Sequence, residues 1–164
     1  MRGLVVRDYR PDDAGPIARV FHRAVRRGTS AHYSLAQRLA WSPRVQAPEA
    51  WHTRLSQIET VVAETGEGPV GFMALDLADG FLDFAYVDPS VRGMGVGAAI
   101  YAVIEGRARA AGLTRLQTEA SRVAEPFFDA RGWIVVKRQR VRRNGLSLPN
   151  AVMERTFAAG EVAA

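Results

Sequence analysis

At 164 residues, with 48% hydrophobic, 24% charged and 9% aromatic residues, the chain has the mixture of an ordinary globular protein and the length to bury a core, which excludes collagenous, low-complexity and disordered classes. It contains no cysteine, so disulfide scaffolds, thiolate nucleophiles and cysteine-bound zinc are ruled out. A formal charge of +5 suits a polyanionic partner such as nucleic acid, phospholipid or a phosphate-rich cofactor, although net charge speaks to association rather than to fold.

The N-terminal stretch Met1-Arg2-Gly3-Leu4-Val5-Val6-Arg7 breaks before a signal-peptide core can form, and Leu4 to Arg7 reads as a first strand. Pro11-Asp12-Asp13-Ala14 is a helix entry with acid at the positive end of the macrodipole, followed by Ile17, Val20, Phe21, Ala24 and Val25 at helical spacing. Ser34 caps a short helix through Ala40, and Pro48 occupies the first turn of another, with Trp51, Leu55 and Ile58 on one stripe. The histidines His22, His32 and His52 lack paired ligand spacing, so no metal is expected.

Thr60 to Ala63, Val70 to Leu77 and Phe81 to Val87 form an antiparallel meander through turns at Gly66-Glu67-Gly68 and Asp79-Gly80. A helix over Ala98 to Ala111, closed by Gly112, leads to a strand over Leu113 to Ala120, which implies one parallel strand-helix-strand crossover. The apolar run Val96 to Ile104, which overlaps the start of that helix, is about half a membrane span. A short helix from Ala124 to Arg131 precedes a closing hairpin, Trp133 to Arg142 and Leu146 to Phe157, turned at Asn144-Gly145. The order is β-α-α-β-β-β-α-β-α-β-β, a mixed α/β fold with a mostly antiparallel sheet, four to five helices and one β-α-β crossover, expected as a single domain over 1–164.

The segment Val87-Asp88-Pro89-Ser90-Val91-Arg92-Gly93-Met94-Gly95-Val96-Gly97-Ala98 is a strand end followed by glycines that open a helix. Amides exposed there, added to the helix dipole, make a pyrophosphate cradle. Gly93, Gly95 and Ala98 match a dinucleotide fingerprint, with Glu119 about 20 residues on as a ribose-binding acid. Against that reading, Asp88 to Arg92 separate strand from glycine and include Pro89, and a doubly wound sheet needs more βαβ units.

The same loop resembles that of the GNAT family of acetyl-CoA-dependent N-acetyltransferases, whose signature is Arg/Gln-x-x-Gly-x-Gly/Ala after a strand. Arg92-Gly93-Met94-Gly95-Val96-Gly97 fits it, Tyr86-Val87-Asp88-Pro89 resembles the family's strand-to-loop junction, and Ala120-Ser121 with Ala124, Phe127, Phe128, Gly132 and Trp133 is similar to its second cofactor segment. Motif, element order and closing hairpin agree along the chain. The resemblance implies that the Val87 amide polarises the thioester carbonyl of acetyl-CoA and that Ala85 main-chain groups hold the pantetheine arm. It also implies that the amides of Gly93, Gly95, Val96, Gly97 and Ala98, with Arg92, hold the pyrophosphate, and that Ser121, Ala124, Phe127 and Phe128 line the cofactor.

Acetyl transfer to an amine needs a deprotonated nucleophile, an oxyanion donor and a fate for the thiolate. Asp83 is the only carboxylate on its strand, and period two places it on the side of Ala85 and Val87. It is the candidate base or ammonium anchor, the alternative being a turn-proximal aspartate bonded to backbone or arginine. Glu119 is the second candidate, equally a structural ion-pair member. Tyr33, Trp41 and Tyr86 are candidate walls of the acceptor pocket, because the family places its early helices there; core packing is the default for Trp41 and Trp51.

The run Lys137-Arg138-Gln139-Arg140-Val141-Arg142-Arg143 reads as a solvated strand edge rather than a nucleic-acid stripe. Phe128 departs from the family, which commonly has a tyrosine there to protonate the leaving thiolate. The expected function is acetyl transfer to a small-molecule amine by a cytoplasmic enzyme with no nucleic-acid or membrane partner and with a homodimer left open. A non-catalytic acyl-CoA sensor and a protein N-acetyltransferase are the alternatives.

Overall fold

The structure, a computed structural model, describes residues 3–158; Met1 and Arg2 of the N-terminal stretch and the last residues of the expected domain lie outside them. The elements are β1 (Val5–Asp8), α1 (Ala14–Arg26), α2 (Leu35–Trp41), α3 (Pro48–Leu55), β2 (Glu59–Thr65), β3 (Gly68–Asp76) and β4 (Phe81–Val87), then α4 (Val96–Ala110), β5 (Arg115–Ser121), α5 (Glu125–Asp129), β6 (Ile134–Arg143) and β7 (Leu146–Thr156). Three helices, not the two in the expected order, separate β1 from β2, because the segments starting near residues 14, 35 and 48 all form.

Local chemistry explains the boundaries. The Ser34 side chain accepts the Gln37 N–H while Gln37 accepts the Ser34 N–H, a reciprocal cap that lets so short a helix hold its first turn. Pro48 opens α3 where no amide donor is needed. Ile58 falls beyond α3, half-buried against the core, so the expected stripe ends at Leu55. Asp13 does not cap α1: its carboxylate turns back to Arg7 at 2.7 Å and to the Arg10 N–H at 2.7 Å.

The strands form one sheet in the order β1-β2-β3-β4-β5-β7-β6. Only β4 and β5 run parallel, joined through α4, and their pairing stops after Phe81↔Gln117 and Leu82↔Thr118. On one face α4 packs Ile100, Tyr101 and Ile104 against Met73, Leu75, Leu82 and Leu116. On the other, α1 and α3 pack Ile17, Phe21, Trp51 and Leu55 against Val62, Phe72 and Phe84. Each large side chain removed from water here contributes about 1.5–3 kcal/mol, which holds the sheet rigid beneath the gap where β4 leaves β5. The basic run lies on β6, at the sheet edge, with Arg138 paired to Glu125 at 2.6 Å.

Candidate active site

The gap between β4 and β5 organises the site. Asp88 N–H donates to the Val70 carbonyl, which sets the alternation of the β3–β4 ladder. In an antiparallel pair every second residue turns its polar groups away from the partner. Val87 and Ala85 therefore direct their main-chain groups toward β5, beyond the point at which β5 has stopped pairing. An N–H and a carbonyl held without ladder partners at a cleft can bind a ligand's polar atoms.

Beyond β4 the chain makes a short helical turn and then enters α4. Asp88 is buried; burial pushes its carboxyl up, but bonds from Ser90 and from Arg23 outweigh this and hold it below the usual carboxylate range. The Arg23–Asp88 pair, at 2.5 Å, fastens α1 to the loop. Gly93 and Gly95 have φ of +77° and +83°, and a Cβ at either would point into open space. Glycine is favoured there by backbone conformation rather than by crowding. Gly97 has the opposite reason: a Cβ would stand 3.2 Å from Cε2 of Phe127.

The first-turn amides of α4 open onto a groove of about 560 Å³. Ala85, Val87, Arg92, Gly93, Gly95, Val96, Gly97, Ala98, Ser121, Ala124, Phe127 and Phe128 all line it. Arg92, expected at a pyrophosphate, also donates to the Gly28 carbonyl at 2.7 Å, so it ties the loop after α1 to the glycine loop. Arg131, which local patterning gave no reason to select, stacks 3.7 Å over Phe127 along the groove. The groove fits an extended phosphate-bearing cofactor: free amides at a helix start, open backbone, apolar wall and three arginines, Arg92, Arg122 and Arg131.

A second cavity, of about 880 Å³, adjoins the groove along β4 and β5. Tyr33, Trp41, Tyr86, Asp83 and Glu119 line it. Trp41 is half-buried against Tyr33 and Tyr86, whereas Trp51 is in the core. Glu119 faces this cavity and not the glycine groove, which removes it from the ribose position of a dinucleotide site. It forms no ion pair among the described residues.

Asp83 corrects the strict alternation expected of its strand. Ala74 pairs with Phe84 but Leu75 pairs with Leu82, so Asp83 is the extra residue of a bulge. The face switches across it: Leu82 packs with the α4 core and Phe84 with the α1–α3 core. The bulge turns an exposed carboxylate to the cavity, where burial of the group raises its pKa and Arg54 opposes the rise. No hydrogen bond to backbone or arginine holds it among the described residues.

The two cavities share Trp41, Ala85, Tyr86, Ser121, Ala124 and Phe128 as a common wall. Phe128 is buried, tilted on Trp133 at 4.9 Å. Of the hydroxyls near it, Tyr86 has its pKa pushed up by burial, and Tyr33 donates to the Pro149 carbonyl at 2.6 Å. Arg54, Asn150 and the end of the β6 basic run, Arg142 and Arg143, also face the larger cavity. Sequence reasoning missed all four: Arg142 and Arg143 belong to the run read as a solvated edge, and Arg54 and Asn150 come from separate segments.

The chain matches the acetyltransferase (GNAT) domain family over residues 29–155. It is 32% identical over 155 residues to the uncharacterized N-acetyltransferase YafP of Escherichia coli, covering 93% of this chain and 96% of that protein. The crystal structure of a GCN5-related N-acetyltransferase from Rhodopseudomonas palustris superposes with a TM-score of 0.88 at 32% identity, over 96% of this chain and 98% of that one. The yncA acetyltransferase of Salmonella typhimurium, solved with its cofactor acetyl-CoA, shares the fold at a TM-score of 0.70 and 17% identity, over 96% of each chain. No helix among the described residues is long and apolar enough to cross a membrane. By sequence, by fold and by its glycine loop, the chain belongs to the GNAT family of acetyl-CoA-dependent N-acetyltransferases.

Proposed function

We propose that this protein transfers an acetyl group from acetyl-CoA directly to the amine of a small molecule, in the cytoplasm, with one catalytic domain holding both substrates. The observation that carries this reading is the common wall: a groove with free helix-start amides and a separate large cavity meet at Ala85, Tyr86, Ser121, Ala124 and Phe128. Bound acetyl-CoA supplies an acyl carbon open to attack and a thiolate leaving group.

The chain's own groups supply the rest. The amides of Val96, Gly97 and Ala98 hold the diphosphate at the positive end of α4, and the main chain of Ala85 holds the arm. The Val87 N–H, turned out of the β3 ladder, is the donor for charge developing on the carbonyl oxygen. Asp83, raised by burial and unengaged by hydrogen bonds, accepts the amine proton directly or through water, with Glu119 on the same cavity as the second carboxylate. No tyrosine takes the acid position that Phe128 occupies, so the thiolate leaves unprotonated or takes a proton from water or Ser121.

A panel of primary amines assayed for free CoA release, with intact masses of the products, tests this reading. Mass gains of one acetyl on small amines support it. Acetyl-CoA binding without turnover of any amine points to a sensor, and acetylation confined to polypeptide amines points to a protein N-acetyltransferase.

A further inference from the structure

The larger cavity carries a charge pattern that acetyl transfer to a plain amine does not use. Four arginines line it, Arg44, Arg54, Arg142 and Arg143, against two carboxylates, Asp83 and Glu119. None of the four forms an ion pair among the described residues, whereas arginines elsewhere, such as Arg7, Arg23, Arg107 and Arg138, do. Arg54 is held from behind: its guanidinium lies 4.6 Å over the Phe84 ring and 5.9 Å from that of Trp51. Such stacking fixes the group while leaving its in-plane N–H donors available to an oxyanion. Arg54 and Arg143 both act electrostatically on the Tyr86 hydroxyl, which places two positive charges beside one wall of the cavity.

A second observation concerns Asn150. Its Oδ1 is buried with no hydrogen-bond partner, and the residue lines the same cavity. Buried acceptors are almost always satisfied, so an orphan at a ligand cavity marks a missing donor. The strand register sets Asn150 opposite Ser121, a residue of the wall shared by both cavities. An acceptor amine approaching that wall carries the N–H groups that Oδ1 lacks.

Resting on the acetyltransferase reading above, we infer that the acceptor is an amine bearing a compact oxyanion, a carboxylate or phosphonate, with its oxyanion on Arg54 and Arg143 and its amine N–H on Asn150 Oδ1. The carboxylates of Asp83 and Glu119 line the same cavity and meet the ammonium, so that a zwitterion finds opposite charge for both of its groups, and an uncharged or purely cationic amine leaves the arginines unpaired.

The test uses matched pairs of primary amines: amino carboxylates and aminoalkylphosphonates against their methyl esters and decarboxylated counterparts. Each is assayed for CoA release under saturating acetyl-CoA and, separately, for calorimetric binding to the protein carrying CoA. The anionic member of each pair should have a kcat/KM at least about tenfold higher. Arg54→Gln and Arg143→Gln should each reduce that advantage at least about fivefold, mainly through KM, with acetyl-CoA affinity unchanged. Asn150→Leu should weaken both members of a pair alike, since both carry the amine.

Equal or greater kcat/KM for the neutral members overturns the oxyanion subsite and leaves acetyl transfer standing. Binding of anionic amines that Arg54→Gln abolishes, with no CoA release from any of them, supports the subsite and overturns acetyl transfer as its use. If no anionic amine binds or reacts, the inference is wrong.

Discussion

The Tyr33 hydroxyl donates to the Pro149 carbonyl at 2.6 Å and at the same time accepts the Arg122 N–H at 3.1 Å, just past the Ser121↔Asn150 pair where β5 and β7 stop pairing. A side chain from the loop before α2 thus replaces a rung of the sheet and clamps the early helices to the wall between the two cavities. Burial raises its pKa and its proton is engaged with a carbonyl, so Tyr33 is a positioning residue. Tyr33→Phe leaves a buried donor and acceptor unpaired, at a cost of about 1–3 kcal/mol in denaturant unfolding. It should lower kcat about tenfold through misplacement of the wall, with acetyl-CoA affinity little changed. Wild-type stability together with wild-type kcat would remove the clamp.

Gly97→Glu is expected to raise the Kd for acetyl-CoA at least about 100-fold, because a carboxylate in the first turn of α4 repels the diphosphate. Gly97→Ala is the control: its Cβ needs only a few tenths of an ångström from Phe127, whose ring edge stands 3.2 Å away. Calorimetry measures both, and circular dichroism checks that each is folded. Unchanged affinity in Gly97→Glu would retire the cradle.

Asp83 trades stability for function. Burial raises its carboxyl, Arg54 opposes, and Asp76 and Asp79 reinforce the rise. A carboxyl with a raised folded pKa contributes stability below its unfolded pKa and loses it as pH rises through the folded value. Asp83→Asn should therefore keep or raise the Tm at neutral pH while lowering kcat/KM. The wild-type acid limb, in which kcat/KM falls as pH drops through the raised pKa, should vanish in the variant, and acetyl-CoA affinity should hold. A variant with wild-type kcat/KM at every pH transfers the role to Glu119.

Phe128 lies in the wall common to both cavities and offers no proton. A free thiol has a pKa of about 8.5, so a thiolate can leave unaided near neutral pH, and general-acid help is worth about 100-fold only where that step limits. Phe128→Tyr should accelerate the pre-steady-state transfer rate if chemistry limits. Phe128→Ala should destabilise by about 3–5 kcal/mol. No gain in the tyrosine variant, with chemistry shown to limit, means that another acid already serves.

The glycine loop, the crossover and the closing hairpin were legible in the chain because each is written in consecutive residues: periodicity, turn chemistry and caps act over a few positions. Much of the groove was legible for the same reason, since many of its residues cluster in two short segments around residues 85–98 and 121–128, whereas Gly28, His32 and Arg131 reach it from elsewhere in the chain. The Asp83 bulge was not, because it depends on a mismatch with β3 that only pairing reveals. Nor were the partners of Arg92 and Tyr33, at Gly28 and Pro149, which come from distant parts of the chain. The acceptor cavity is the extreme case: Arg54 lies on α3 between Trp51 and Leu55 of its apolar stripe, Arg143 ends a run read as solvated edge, and Asn150 sits mid-strand. Local sequence determined which elements form and where glycines open a helix onto a groove; tertiary packing alone decided which charges converge, because side-chain neighbours across a sheet are set by register and not by spacing.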